Sequence, residues 1–237
     1  MDGMQGYPGD WTNIVIDSNR VIRQTDPNLA FPTYLQGIDA FDGDWTNVTV
    51  TNNVVVTSSC WGIFYGSMHG GKIINNTVLD DGTDAGTKNP AGKVVCHPSI
   101  TVGDKTHQGR SSNDVIIRNN IASNLTIYNL DPNMTMDHNI CLVVHGKCQI
   151  VSYVNGKPNW GVYKPGAYAD HNTVDGRGAT GTFRSFDPPK LVYDVRLKTG
   201  AGAIGAGHSA EAPTVDITGA PRGSQIDIGA HQYSPPK

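Results

Sequence analysis

The sequence predicts an all-β solenoid in which short strands wind into stacked coils and helix is a minor component. Three observations carry that expectation: a repeat at a fixed offset, a series of β-branched strands that each close on asparagine, and a composition rich in turn formers. Among 237 residues there are 28 Gly and 14 Pro, with 38% hydrophobic and 16% charged residues. That is a globular balance, poor in the Ala/Glu/Lys/Leu mixture of helical solenoids.

The repeat comes first. Residues 2–22 laid over 36–56 at an offset of 34 match Gly3 with Gly37, Met4 with Ile38, Tyr7 with Phe41 and Asn19 with Asn53, and the whole run Gly9-Asp10-Trp11-Thr12-Asn13 falls on Gly43-Asp44-Trp45-Thr46-Asn47. A fixed period marks a unit that cannot bury its apolar face alone and stacks on copies of itself. The second half of the unit then recurs without the first. "NIVIDSNRVI" at Asn13, "NVTVTNNVVV" at Asn47, "GKIINNTVL" at Gly71, "DVIIRNNIAS" at Asp114, "NMTMDHNICL" at Asn133 and "YADHNTV" at Tyr168 are each a short strand closed by Asn. Val48 and Val50 alternate with Thr49 and Thr51, the period-2 signature of a strand with one buried face. The closing asparagines, 19, 53, 76, 120, 139 and 172, suit tight corners because their side chains bond nearby backbone and tolerate left-handed geometry. Their steps of 34, 23, 44, 19 and 33 fit coils of roughly twenty-odd residues with loops inserted into some of them.

The longest insertion, at about 80–113, separates the third strand series from the fourth. From 157 onward the repeat fades, and 176–237 reads as a Gly- and Pro-rich wrap that caps the C-terminal end. The chain is thus read as one domain, 1–175 coils and 176–237 wrap. Its opening residues read as an interior strand and corner, so the solenoid is expected to lack its N-terminal coil and cap. A formal charge of −3 and a pI near 6.2 give no electrostatic case for nucleic acid or an anionic membrane. No apolar run approaches the roughly 20 residues that cross a bilayer, and no signal segment precedes Asp2.

The corners "NVTVTNNVVV" and "DVIIRNNIAS" resemble those of right-handed parallel β-helix proteins of the pectate-lyase-like superfamily. The segment "GAPRGSQIDIGAHQY" at Gly219 is similar to the closing segment of many secreted members. The resemblance covers about 2–175 and 219–233. It implies a right-handed parallel β-helix, an extracellular or virion-surface location and a polysaccharide partner. It does not fix the reaction, because the fold hosts lyases, hydrolases, epimerases, sugar-binding proteins and viral spikes.

Stacking the coils aligns the site candidates. With Met4, Ile38, Ile63 and Ile100 equivalent and inward, Gln5, Asp39, Phe64 and Thr101 follow on the outside of one sheet, about 4.8 Å apart from coil to coil. Such a ladder suits a sugar chain. The insertion supplies Lys88, Lys93, His97, Lys105, His107 and Arg110 beside the strand "SITVG", with Asp80, Asp81, Asp84 and Asp104 nearby. Eliminative cleavage of a uronic-acid polymer needs a base for the C5 proton, a cation or metal for the carboxylate and an acid for the leaving oxygen. Lys105, His107 and Arg110 offer those types within six positions; the competing reading is a solvated surface loop.

Asp39 and Asp42 replace Gln5 and Pro8 of the first repeat, so the shared turn does not require them. They are candidates for Ca²⁺ ligation or for the acid and base of a hydrolase. Asp44, whose counterpart is Asp10, is read as a turn former. The stretch also resembles loosely the "DGID" strand of polygalacturonase-type hydrolases, but the adjacent-aspartate and Gly-His-Gly signatures do not follow, and no catalytic residue is carried over. Trp61, Phe64 and Tyr65 share a strand, so at least one is expected outward, and Phe64 or Tyr65 beside His69 would line a groove; Lys88 joins them as a substrate contact. Trp11 and Trp45, being repeat-equivalent, favour packing. Four cysteines, 60, 96, 141 and 148, lack metal-binding spacing, and Cys141 and Cys148 either bridge a hairpin or remain buried thiols. The leading expectation is a lyase acting on an acidic polysaccharide, monomeric, with Ca²⁺ as the one cofactor considered. A homotrimeric binding spike such as a phage's and a hydrolase using Asp39 and Asp42 are the alternatives.

Overall fold

A computed structural model describes residues 2–6, 9–26, 28, 35–82, 97–103, 111–128, 133–144, 148–154, 157–159 and 171–235. Lys88, Lys105, His107 and Arg110 lie outside these residues, as does Cys96. The described chain is a parallel β-helix of six coils. Coil one holds β1 (Asp2–Gly6), β2 (Trp11–Thr12), β3 (Val15–Asp17) and β4 (Arg20–Ile22). Coil two repeats it with β5 (Gln36–Ala40), β6 (Trp45–Thr46), β7 (Thr49–Thr51) and β8 (Val54–Thr57), and coil three with β9 (Trp61–Tyr65), β10 (Met68–His69), β11 (Lys72–Ile74) and β12 (Thr77–Asp80). Coil four has β13 (Ser99–Val102), β14 (Ile116–Arg118) and β15 (Ile121–Ala122), and coil five β16 (Asn124–Tyr128), β17 (Thr135–Asp137) and β18 (Ile140–Leu142). Coil six contributes β19 (Gln149–Val154), β20 (Lys157–Asn159) and β21 (Thr173–Asp175).

Equivalent strands pair parallel from coil to coil. Sheet 1 runs β1-β5-β9-β13-β16-β19 and ends on the antiparallel β20, sheet 2 is β2-β6-β10, sheet 3 is β3-β7-β11-β14-β17 and sheet 4 is β4-β8-β12-β15-β18-β21. The expected register holds on sheet 1: Met4 faces Ile38, Ile38 faces Ile63 and Ile63 faces Ile100, with Gln5, Asp39, Phe64 and Thr101 in step beside them. Period-2 alternation turns Ile38, Ile63, Ile100 and Leu125 into a core shared with Val50, Ile73 and Ile117 of sheet 3 and with Val55 and Val78 of sheet 4. Where sheet 1 meets sheet 4 the interior is too narrow for a side chain. A Cβ on Gly37 would sit 1.9 Å from the Gly62 carbonyl oxygen, and one on Gly62 would sit 2.2 Å from a Val78 methyl. The glycine of the repeat is therefore a spacing requirement.

Each corner between sheets 3 and 4 is two residues long. The first of the pair takes the left-handed conformation, at Ser18, Asn52, Asn75, Asn119, His138 and His171, with φ between 51° and 60°. This places the left-handed residue one position before the closing asparagine, a correction to the sequence reading. The closing asparagines do something else: they form an amide ladder. Oδ1 of Asn53, Asn76, Asn120, Asn139 and Asn172 each accept the backbone N–H and the Nδ2–H of the ladder asparagine one coil before, at 2.8–3.0 Å. In the last two of these corners the left-handed residue is a histidine, His138 and His171.

After α1 (Gly178–Thr182), the hairpin β22 (Phe183–Asp187) and β23 (Val192–Leu197) and the residues to 233 run along the outside of sheet 4. There Val54, Val56, Leu79, Ile121 and Leu142 pack on Phe183, Val195, Leu197, Ala203 and Ile228. This second apolar layer explains why "NVVV" does not alternate: both faces of β8 are buried. The wrap reaches coil one, where Thr25 Oγ1 donates to Pro188 O at 2.6 Å.

Candidate functional site

The outer face of sheet 1 across coils two to four is the candidate site. Asp39, Phe64 and Thr101 stand in register there, each less than 8% exposed, while Gln5 at the coil-one end is exposed. A register shift between Ser99 and Ile100 absorbs Gly62 as an extra residue of β9, so Trp61 and Phe64, three positions apart, turn to the same side. Their ring centroids lie 4.4 Å apart, and Phe41 closes the group at 4.8 Å from Phe64 and 5.9 Å from Trp61. Trp61 and Phe41 remain partly exposed, leaving aromatic surface accessible beside the ladder.

Tyr65 takes the opposite parity. It faces the interior with Ile63, packs edge-on against Trp45 at 5.9 Å, and burial, helped by the charge of Asp39, pushes its phenol well above the usual range. His69 lies on sheet 2, away from Phe64. Its Nδ1 accepts from Asn113 Nδ2 at 2.9 Å, and its Nε2 lies 3.3 Å from Asp44 Oδ1 and 3.2 Å from Ser67 Oγ. The expected groove of Phe64 or Tyr65 beside His69 is thus not assembled, because strand parity and an intervening corner separate them. Asp44 is tied into this corner, where its Oδ1 also accepts from Ser67 at 2.6 Å. Asp42 sits in the preceding turn, its carbonyl accepting from Trp45 Nε1 at 3.1 Å. Trp45 stacks on Trp11 at 6.0 Å, the packing role expected of repeat-equivalent tryptophans.

Gln5, Asp39 and Tyr65 also line a pocket of about 280 Å³ at the coil-one end, with Met4, Trp11 and Ile16 among its largely apolar walls. Its walls are formed mainly by side chains of coils one and two, and such apolar walls suit a hydrated sugar poorly.

Beside Trp61, where sheet 4 turns into sheet 1, lies a pair the sequence reading placed in the same loop without joining. His97 Nδ1 is 2.6 Å from Asp80 Oδ2, with side-chain exposures of 16% and 6%. Asp80 Oδ1 accepts Gly82 N–H at 2.8 Å, and the Asp80 backbone N–H donates to Ser123 Oγ at 3.1 Å. Next to it Arg23 and Asp81 form a buried ion pair at 2.8 Å. No group of three or more His, Cys, Asp or Glu able to hold a metal ion occurs among the described residues. Cys141 is joined to Cys148, settling that alternative in favour of a bridge, and Cys60 is disulfide-bonded as well. Compared with family models, with curated proteins and with solved structures, the chain finds no match in any of the three.

Proposed function

We propose that the chain acts on an extracellular polysaccharide laid across the outer face of sheet 1, and that the polymer is acidic and is cleaved by elimination. The observation that supports this reading is the Phe41/Trp61/Phe64 cluster on the outer face of sheet 1, with Phe41 and Trp61 partly exposed. Flat rings stack on the apolar face of a pyranose. Elimination is favoured over hydrolysis on the chemistry of the insertion, whose sequence is rich in Lys, His and Arg, while Asp39 is buried and Asp42 belongs to a turn. The disulfides accord with an oxidising, extracellular setting.

The test incubates the purified chain, with and without Ca²⁺, against uronate polymers and neutral glycans while absorbance of unsaturated uronate and reducing ends are followed together. A joint rise is the expected result. Reducing ends without absorbance would overturn the lyase assignment in favour of a hydrolase. Silence in both channels with retained glycan binding would leave a binding protein, and an analytical ultracentrifugation mass of three chains would then identify a spike-like trimer.

A further inference from the structure

We infer that Asp80 and His97 form a proton-transfer pair at the entrance to sheet 1, in which His97 Nε2 exchanges the proton of the bound sugar; the inference rests on the carbohydrate reading above. The two residues are 17 positions apart and flank the long insertion, yet the Nδ1···Oδ2 separation of 2.6 Å is that of a strong, charge-assisted hydrogen bond. A carboxylate accepts only, so Nδ1 carries the hydrogen, and in the neutral ring the basic lone pair is on Nε2. The carboxylate is itself fixed by the Gly82 N–H, and its strand is pinned to the next coil through Ser123. This is the arrangement in which an acid orients an imidazole and stabilises its protonated form.

The position fits the same reading. Ser99, two residues after His97, is the register partner of Trp61, and its backbone N–H and Oγ both bond the Cys60 carbonyl at 3.1 and 2.9 Å. His97 therefore enters sheet 1 one coil above the aromatic cluster, and 16% of its side chain reaches the surface. On a uronate bound there, Nε2 takes the C5 proton. The C5–H electron pair becomes the C4–C5 double bond, and the C4–O bond breaks with its pair on the departing oxygen. That oxygen receives the proton from His97, which returns to its starting state. Atoms and charge balance without a further reagent.

The experiment compares the full-length chain with H97Q and D80N on the uronate polymer that the wild type cleaves. Glutamine puts a non-basic amide where Nε2 stands and cannot accept a proton at this pH, so kcat is expected to fall 10²- to 10⁴-fold with KM little changed. D80N is expected to lower kcat with KM unchanged, a split that a tie only closing the loop would not give. Wild-type rate in folded H97Q would overturn the pair while leaving the lyase reading standing. Wild-type silence on every polymer would remove both. Should H97Q fail to fold, ¹⁵N spectra of the wild-type imidazoles decide. An added uronate oligosaccharide must shift the His97 Nε2 resonance, and its indifference would overturn the placement.

Discussion

Asn76 donates both its backbone N–H and its Nδ2–H to a single oxygen, Oδ1 of Asn120, at 2.9 and 3.0 Å across 44 residues of sequence. Its own Oδ1 accepts the same pair from Asn53, and its Nδ2 also reaches Val50 O at 2.9 Å. Removing the Asn76 amide strands the backbone N–H and an Nδ2–H of Asn53 on the coil before and takes one of its two donors from Asn120 Oδ1 on the coil after, all buried. Asn76→Ala is expected to lower the urea unfolding free energy by about 3–5 kcal/mol, and Asn19→Ala, at the partly exposed first rung, by about 1 kcal/mol. Equal losses at both positions would show that the ladder acts as independent corners.

The left-handed column one residue earlier ties the coils to the wrap. Asn75 Nδ2 donates to Asp227 O and Gly229 O at 2.8 and 3.1 Å, Asn119 Nδ2 to His208 O at 2.8 Å, and Asn52 Nδ2 to Val215 O at 3.1 Å. Arg222 enters the same seam through Asn52 Oδ1 at 2.9 Å, with its guanidinium pulled down to about 10 by burial. Asn75→Gly loses these bonds at a φ of 56° that glycine tolerates, whereas Asn75→Ala also bears the left-handed strain, about 1 kcal/mol more. Calorimetric melting of the two variants should rank Gly above Ala. Amide exchange should quicken at Gly229 and Asp227 in both.

These two columns show how far the sequence could be read. The period gave the register of Met4, Ile38, Ile63 and Ile100, because a fold of stacked copies writes its contacts into the repeat itself. It marked the corners too, but could not tell which member of Asn75-Asn76 is left-handed, since both positions accept asparagine. Sheet 2 escaped notice because Trp11–Thr12, Trp45–Thr46 and Met68–His69 are too short to show alternation. The wrap has no period of its own, and its only trace in the coils is the unbroken run Val54-Val55-Val56. The Asp80–His97 contact depends on the path of an insertion that no local pattern encodes.

The aromatic cluster separates glycan binding from packing. Trp61→Ala should weaken binding to the polymer the chain recognises by about tenfold, close to 1.4 kcal/mol, measured by affinity electrophoresis. Trp11→Ala removes an exposed ring stacked on Trp45 at the coil-one end, away from this face, and should leave affinity unchanged. Loss on Trp11→Ala with retention on Trp61→Ala would move the glycan to the pocket that Trp11 lines in coils one and two.

Acid should loosen the wrap before it unfolds the coils. His231 is 5% exposed, and burial lowers its pKa from 6.5 to about 4, against the pull of Asp216 and Asp194 and with Arg20 and Arg196 reinforcing the shift. His138 is lowered in the same direction by burial and by its neighbours His171 and His208, whose rings lie 4.7 and 4.9 Å away, with Asp137 opposing. Arg118, bonded to Asp137 at 2.5 and 2.7 Å, and Glu211 of the wrap complete that cluster. A histidine whose folded pKa is depressed favours the folded state when neutral, so its contribution is full above 6.5 and falls away as pH drops toward the folded value. For His231 the loss between pH 6.5 and 4 is on the order of 3 kcal/mol. Melting temperature should therefore decline through that window, and His231→Phe should flatten the decline. His138→Asn, which extends the asparagine column already present at 52, 75 and 119, should slow amide exchange at His208 at pH 5 and leave it unchanged at pH 8. A pH-independent effect at His208 would assign the histidine stack to packing alone.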